Sequence, residues 1–507
     1  MQHSIPLFLQ LFHGIQCHRE QELGILGSLD IAKSLVRNKR IKCLGLVLDL
    51  IAQAIVSRPD DVAATTASIT LRDGDSLLTN FHVVHSNDEL VPSAVEQHIQ
   101  TIMSLLLIIT GNRPKSSPFE EGRRNLLILL YKFGWPKFLK RVNQHRHSFI
   151  LLQDLFRANS SNSALTPNVD RSKVEYLFRS IESILDAVDL GADTIDECAG
   201  VVHERFFSCI KEGIFIVSQS KKTGALRIEA PLFDGLEKFV AEHFDVHQLF
   251  SVQRWVYKVF SLELLVLRLC HTFYSHDAQE LLQGKIKVEV FQAEEPQAEA
   301  VHCIVGRGTS HEIVHNVIRE AVIVHNDSSF MRPHLDNVER QAQFADYALA
   351  GFGNTPAQRP KIHCELSMLK NLHERGLTDT VVPYVGMSKL SCKACSEYLR
   401  AYSLTTGQDF QTSGTDNMYV DPSWVYPSIV IGSEDDRIRE MLVKALQSAF
   451  VERFQTWLEE HRPIDELWAT SKHLAWLGRT FDMRQYDRKK RLRHSIANVG
   501  VAERVYF

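Results

Sequence analysis

The feature that most constrains this chain is a pair of short motifs that together could bind one metal ion. The first is His363-Cys364-Glu365, and the second is Cys392-Lys393-Ala394-Cys395. A neutral imidazole and two thiolates fill three of the four tetrahedral positions of zinc and leave the fourth for water, whose pKa the metal lowers toward neutrality. The sequence therefore predicts a zinc site at His363, Cys392 and Cys395, with Glu365 free to accept a proton.

The residues around both motifs predict that each opens a helix. Pro360 precedes apolar residues at helical spacing, so a helix should begin near His363; these residues are Ile362, Leu366, Leu369 and Leu372. His363 and Glu365 are two positions apart, so they converge only if the chain bends on entering this helix. Cys392 and Cys395 share a face of a second helix, from Cys392 to about Leu404, whose N-terminal dipole favours thiolates.

A short apolar run lies between the two predicted helices. Residues 380–386 read Thr-Val-Val-Pro-Tyr-Val-Gly, which is typical of a buried strand, although Pro383 weakens the prediction. We therefore expect a helix, a strand and a helix, with both helices beginning at the same end of a sheet.

These residues resemble a known superfamily. The segment KIHCELSMLKNL, followed by VPYVGMSKLSCKACSEYLRAY, resembles the cytidine deaminase-like superfamily over roughly residues 360–430. Within it, the segment is similar to a deaminase-like group, abundant in fungal proteins, that carries a P-Y-x-G-x-S-K-L-S-C-x-x-C block. The resemblance implies an α/β/α fold with a mixed sheet, zinc on His363, Cys392 and Cys395, and Glu365 as the proton shuttle.

The chain departs from the family pattern at three places. Ser391 stands where the wider superfamily has proline, and Cys364 replaces the usual small residue between the histidine and the glutamate. A Gly-Ser-His-Gly-like turn is typical of the group, but residues 414–417 read Gly-Thr-Asp-Asn; Trp424 is still present.

The function implied by the resemblance is zinc-dependent hydrolytic deamination of a nucleobase in a nucleoside, nucleotide or nucleic acid. The expected pocket residues are Tyr384, Ser388, Ser391 and Trp424. One alternative is a closed structural zinc site with Cys364 as fourth ligand. In that case the protein is a catalytically silent deaminase-like scaffold or interaction protein.

A second metal-like motif is His311-Glu312-Ile313-Val314-His315, the H-E-x-x-H pattern of zincin metalloproteases. The extended metzincin form is absent, because Ile318 and Ala321 occupy the required glycine and histidine positions. Glu339 is then the candidate third ligand. The competing interpretation is a surface helix with both histidines at its solvent edge.

Apolar periodicity, together with the α/β/α domain that the resemblance implies, divides the chain into three regions and predicts a mixed α+β, α/β fold class. Residues 1–280 form a mostly helical N-terminal region with a flexible joint near 157–168, residues 285–465 a deaminase-like zinc domain, and residues 466–507 a helical basic tail. Predicted helical segments are 41–56, 95–110, 123–142, 172–188, 199–216, 246–270 and 433–461.

Three local features complete the predicted organisation. Gly134-Trp135-Pro136 should break or kink its helix. Residues 111–122 have a loop-like composition. The alternating residues 286–290 and the run 300–305 predict a hairpin that supplies the opening strands of the deaminase sheet.

Composition predicts an intracellular protein. The 507-residue chain is 44% hydrophobic and 23% charged, and it contains nine cysteines at irregular spacing. The first residues lack a convincing secretory signal, and no apolar run approaches the length needed to cross a bilayer. We therefore expect a cytoplasmic or nuclear protein that is neither secreted nor bound to a membrane.

The net charge of −4 restricts any nucleic-acid contact to a local patch. The basic candidates for such a contact, or for a nuclear-import signal, are Arg484, Arg488, Lys489, Lys490, Arg491 and Arg493. The competing interpretation is a solvated helix end.

Overall fold

The computed structural model describes residues 12, 32–33, 38–59, 61–71, 77–86, 91–158, 171–190, 231–244, 250–293, 342–344, 346, 361–415 and 424–460. The α-helices with described bounds are α1 (Lys39–Ala54), α2 (Pro92–Thr110), α3 (Ser117–Gln144), α4 (Arg146–Ala158), α5 (Arg171–Leu190), α6 (Pro231–His243), α7 (Val252–Val259), α8 (Ser261–Thr272), α9 (His276–Gln279), α10 (Cys364–Glu374), α11 (Lys393–Thr406) and α12 (Ser433–Glu460). The strands are β1 (Ala32–Lys33), β2 (Ala63–Leu71), β3 (Leu77–His85), β4 (Lys285–Gln292), β5 (Gly386–Met387) and β6 (Gly414–Thr415). The expected fold class is confirmed: the protein is mostly helical, with a mixed four-stranded sheet and a C-terminal helix α12.

The chain divides into two compact units whose ranges alternate along the sequence. The sheet unit comprises the described residues of Leu35–Gln292 and Thr380–Leu390. The second unit comprises the described residues of Met1–Ser34, Ala293–Asp379 and Ser391–Val501.

A four-stranded sheet with the order β4-β3-β2-β5 organises the sheet unit. β2 and β3 form an antiparallel hairpin in which Ala63 pairs with His85 and Leu71 with Leu77. β4 runs parallel to β3, and β5 is antiparallel to β2, so the sheet is mixed.

Helix α1 packs closely on this sheet. The side chain of Asn38 caps the helix by accepting hydrogen bonds from the first backbone N–H groups. The buried Thr65 hydroxyl donates to the carbonyl of Leu48 at 2.8 Å. Gly386 permits the close approach of β5, because a Cβ there would lie 2.3 Å from the carbonyl carbon of Leu48.

The predicted strand 286–290 is present within β4, whose described neighbour is β3. The hairpin β2–β3 lies in the region predicted to be mostly helical, so it corrects that prediction. The run 300–305 lies outside the described residues. Residues 380–386 do not form a continuous strand: Pro383 has no N–H to donate, and the N–H of Tyr384 turns back to the carbonyl of Val382 at 2.6 Å. Sheet pairing resumes at Gly386.

Several helix predictions are confirmed, with three differences. Residues 246–270 contain two helices, α7 and α8, which meet at Phe260. α3 begins at Ser117, inside the predicted loop 111–122, and continues through Pro136 without a break. The segment 199–216, residues 159–168 of the joint and the tail 466–507 lie outside the described residues.

The second unit contains the three helices α10, α11 and α12. α11 packs against α12, and the buried ring of Tyr398 meets Tyr426 edge-on with centroids 5.4 Å apart. Two isolated parallel bridges, Lys361 with Trp424 and Ser391 with Thr415, fix the chain just before α10 and α11. Among the helices described in both units, none is long and apolar enough to cross a membrane.

Candidate metal centre

The N-termini of α10 and α11 carry the predicted metal ligands. His363 is the N-cap residue of α10, with extended backbone angles of φ −66° and ψ 150°. Cys392 occupies the same position in α11, at φ −69° and ψ 162°. Both helices therefore begin where the sequence predicted. The extended conformation of His363 supplies the bend at the entry to the helix that the convergence of His363 and Glu365 requires.

His363, Cys392 and Cys395 converge at one point. Nδ1 of His363 lies 3.6 Å from Sγ of Cys392 and 3.5 Å from Sγ of Cys395. All three ligand atoms lie within 4.8 Å of one another. The backbone N–H of Cys395 also points to Sγ of Cys392 at 3.5 Å, so the first turn of α11 holds both sulfurs on one face.

These distances fit a tetrahedral zinc ion. With Zn–S bonds of about 2.3 Å and a Zn–N bond of about 2.0 Å, a nitrogen and a sulfur ligand lie about 3.5 Å apart. A single ring nitrogen cannot form good hydrogen bonds to two sulfurs at once, whereas one metal ion satisfies all three atoms. The donor set and its spacing are therefore compatible with a metal, most commonly zinc.

Cys364 does not join this cluster. Its side chain is buried at the start of α10, but the group of converging ligand atoms among the described residues contains only His363, Cys392 and Cys395. The closed site with Cys364 as fourth ligand is therefore not formed.

Glu365 lies beside the cluster without belonging to it. The side chain is 2% exposed, in the first turn of α10, where the helix dipole stabilises a carboxylate. Its negative charge raises the pKa of both Cys392 and Cys395, which places the carboxylate near both sulfurs. Within the described part of the chain, no hydrogen bond engages this carboxylate, so it can act on a small molecule at the centre.

The two thiols have opposite electrostatic properties. A hydrogen bond from Cys395 lowers the pKa of Cys392 to about 6, and the charge of His363 lowers it further. Burial raises the pKa of Cys395 well above its ordinary value. Metal binding to this pair therefore releases protons, because zinc ligands must be thiolates.

Trp424 supports the centre directly. Its indole Nε1–H donates a hydrogen bond to Sγ of Cys395 at 3.1 Å, and the side chain is buried. The parallel bridge to Lys361 holds this tryptophan next to the segment that ends at His363. The sequence marked Trp424 as a pocket residue but gave no sign of this contact to a ligand sulfur.

The other predicted pocket residues lie in different surroundings. In the sheet unit, the Tyr384 hydroxyl donates to Asp49 at 2.8 Å, and the Ser388 hydroxyl accepts from the backbone N–H of Ala63 at 2.9 Å. Ser391 precedes Cys392 in the second unit, and its buried hydroxyl has no hydrogen-bond partner among the described residues. A pocket role for these three residues stays a prediction.

Two sequence motifs cannot be placed at the centre. The H-E-x-x-H residues 311–315, Glu339 and the basic stretch 484–493 all lie outside the described residues.

His276, Asp277 and Glu280 form a second group of close ligand atoms, in the sheet unit. Arg40 already pairs with Glu280 at 2.5 Å, and His276 is exposed.

Comparison with known proteins agrees with this geometry. Residues 362–428 match the model of the OTT_1508_deam family, described as a deaminase-like family. The match begins one residue before His363 and includes all three clustered ligands, Glu365 and Trp424. It supports a deaminase-like family for this segment of the 507-residue chain. Neither a curated protein nor a solved structure gives a significant match.

Proposed function

We propose that the protein is a zinc-dependent hydrolytic deaminase that acts on a nucleobase in a nucleoside, nucleotide or nucleic acid. One observation carries the proposal. His363, Cys392 and Cys395 bring their ligand atoms together, with the buried Glu365 beside them, inside the segment that matches a deaminase-like family.

His363, Cys392 and Cys395 would hold the metal. Neutral imidazole and two thiolates balance the double charge of zinc, so the buried cluster carries no surplus charge when it is loaded. When bound, zinc supplies Lewis acidity that makes water nucleophilic at neutral pH. The Trp424 hydrogen bond to Cys395 holds one of these ligands in its orientation.

Glu365 would move the proton. Its carboxylate accepts a proton from the attacking water as the oxygen adds to the amidine-like ring carbon. Glu365 delivers this proton to the adjacent ring nitrogen, then takes the proton of the new hydroxyl group and passes it to the amino group, which leaves as ammonia while the carbon–oxygen double bond forms. The reaction consumes one water and releases one ammonia, so it requires no oxidant or reductant.

Replacing Glu365 by glutamine tests this role. Glu365→Gln should reduce deamination by about 10²–10⁴-fold, because glutamine cannot accept the proton, while the zinc content stays unchanged. Glu374→Gln is the matched control, since Glu374 ends the same helix with an exposed side chain. Cytidine, deoxycytidine, adenosine, guanine and single-stranded DNA and RNA oligonucleotides are assayed by mass spectrometry and ammonia release.

Two results would contradict the proposed reaction. Deamination by Glu365→Gln at the wild-type rate would remove the assigned role from this glutamate. A zinc-loaded wild-type protein that deaminates none of these compounds would favour the silent scaffold.

The proposed site also suggests a location and a partner. The five described cysteines, Cys43, Cys270, Cys364, Cys392 and Cys395, are free thiols, which supports a reducing intracellular compartment. A nucleic-acid substrate would contact the stretch from Arg484 to Arg493. The positive charge of this stretch supports the contact, because phosphate groups are negatively charged.

A further inference from the structure

Two of the three converging ligand atoms are the sulfurs of a Cys-x-x-Cys pair. Sγ of Cys392 and Sγ of Cys395 lie within 4.8 Å of each other, and both residues are free thiols in the structure. A disulfide needs about 2.0 Å between its sulfurs, so the two atoms must approach by less than about 3 Å. Rotation of the two side chains between staggered rotamers covers a shift of this size.

The backbone at the start of α11 directs both sulfurs to one side. Cys392 is the N-cap residue with an extended backbone, and the N–H of Cys395 points to its sulfur at 3.5 Å. The Cys392 sulfur therefore lies over the backbone of Cys395. Two cysteines separated by two residues at a helix N-terminus are typical of redox-active pairs, because the helix dipole stabilises the attacking thiolate.

The two cysteines differ in exposure. Cys392 is half-buried, whereas Cys395 is 0% exposed and its sulfur accepts the N–H of Trp424 at 3.1 Å. A small oxidant therefore meets Cys392 first, and Cys395 is placed behind it to complete a disulfide. A bulky oxidant such as oxidised glutathione does not fit a pair of which one member is fully buried.

Two other described cysteines lack these properties. Cys364 is buried, and its sulfur is not among the converging ligand atoms. In the sheet unit, burial raises the pKa of Cys270 to about 11, so this residue stays a neutral thiol that reacts slowly with oxidants. Oxidation of the metal centre should therefore be selective for Cys392 and Cys395.

We propose that Cys392 and Cys395 form a reversible disulfide with hydrogen peroxide, which empties the metal centre and switches it off. The inference rests on the metal centre of the proposed function and adds its regulation. A disulfide sulfur is not a zinc ligand, so oxidation would leave His363 alone to hold the ion. One imidazole holds zinc poorly.

The oxidation is balanced by one molecule of peroxide. The Cys392 thiolate attacks a peroxide oxygen, the O–O bond breaks, and a sulfenic acid and a hydroxide ion form. The Cys395 thiolate then attacks the sulfur of Cys392, and the S–O bond breaks as the S–S bond forms, with release of a second hydroxide ion. The sulfurs lose two electrons, and the peroxide gains them.

Peroxide titration of the zinc-loaded full-length protein tests the switch. Zinc release is followed with a colorimetric chelator, and the oxidised cysteines are located by mass spectrometry of peptides from the unreduced protein. We expect release of the one zinc per chain together with a disulfide between Cys392 and Cys395. Dithiothreitol followed by added zinc should restore the original zinc content.

A variant that keeps the metal but cannot form the disulfide gives the sharpest comparison. Cys392→His replaces one zinc ligand by another, and it should retain its zinc at the peroxide concentration that empties half of the wild type. Cys364→Ser is the matched control, since it removes a buried cysteine outside the cluster and should release zinc as the wild type does. Should Cys392→His not hold zinc, Cys392→Asp takes its place with the same expected resistance.

Several results would overturn the switch. They are zinc retained by the wild type after peroxide, zinc lost with sulfinic acid instead of a disulfide, a disulfide that involves Cys364, and release by oxidised glutathione but not by peroxide. None of these measurements uses a deaminase substrate. A switch that works in a protein without deaminase activity therefore refutes only the proposed reaction, and zinc that resists peroxide in an active deaminase refutes only the switch.

Discussion

Replacing Asp49 by asparagine should remove a large pH dependence from the sheet unit. Asp49 lies in the apolar face of α1 and is 8% exposed. One carboxylate oxygen accepts from the Tyr384 hydroxyl and the other from the Met387 N–H, both at 2.8 Å. Burial raises the pKa of Asp49 to about 7, although both hydrogen bonds act to lower it.

The size and sign of the effect follow from this pKa. The folded protein holds the Asp49 proton more tightly than the unfolded chain, whose pKa is near 3.8, so the stabilisation contributed by Asp49 is fully present below that pKa and is lost as pH rises toward 7. Between the unfolded and the folded pKa of Asp49, the free energy of unfolding falls by an amount on the order of 4 kcal/mol. Roughly 2 to 3 kcal/mol of this loss falls between pH 5 and pH 8.

Asparagine resembles the protonated form of this carboxyl. Its oxygen can accept from the Met387 N–H while its amide donates to the Tyr384 oxygen, so both contacts survive without a buried charge. The assay is hydrogen exchange of a peptide spanning residues 380–390, because the Met387 amide reports directly on this contact. The free energy of opening should fall by roughly 2 to 3 kcal/mol between pH 5 and pH 8 in wild type and stay nearly constant in Asp49→Asn.

The control for this experiment is Asp154→Asn, an exposed aspartate on α4 that should retain the wild-type pH dependence. The reasoning is wrong if Asp49→Asn shows the same pH dependence as wild type, since the titrating group would then be another residue.

Two further substitutions test packing and support of the site. Trp424→Phe removes the N–H donor to the sulfur of Cys395 and should lower zinc affinity by about 10-fold, measured by competition with a chelator; an unchanged affinity would show that this bond is not needed. Gly386→Ala should cost at least about 3 kcal/mol in urea unfolding, because its Cβ would overlap the backbone of Leu48, whereas Gly376→Ala, with open space at φ 64°, should cost only about 1 kcal/mol. Equal costs would refute the packing argument.

The helices that begin at the metal motifs could be predicted because local signals agree there. Pro360 and the apolar residues after it predict α10, and the pair Cys392 and Cys395 predicts the start of α11. The same motifs predict that both bind one metal ion. Binding one ion requires the two motifs, which are distant in the chain, to come together, as His363, Cys392 and Cys395 do in the structure. Sequence order and chemistry were sufficient for this part of the site.

The strands β2 and β3 escaped prediction for a physical reason. The first residues of β2 read Ala-Ala-Thr-Thr-Ala-Ser and are all buried, so alternation of apolar and polar residues is missing. These small side chains pack against α1 on one side of the sheet. Their burial depends on this contact with the helix, which a local sequence pattern does not show. β5 depends on pairing with Thr65 and Ala64, more than three hundred residues earlier in the chain.

The other unpredicted features also depend on distant residues. Asp49 interrupts an apolar run on α1, a local signal that could have marked it as functional or buried, but its partners lie in the segment 380–390.

Zinc content measured by elemental analysis tests the central claim most directly. Wild type should contain one zinc per chain, and Cys392→Ser should lose it, because two remaining ligands hold zinc poorly. Cys364→Ser is the matched control: it changes a buried cysteine outside the cluster and should retain the metal. Zinc retained in Cys392→Ser, or lost only in Cys364→Ser, would contradict a centre built from His363, Cys392 and Cys395.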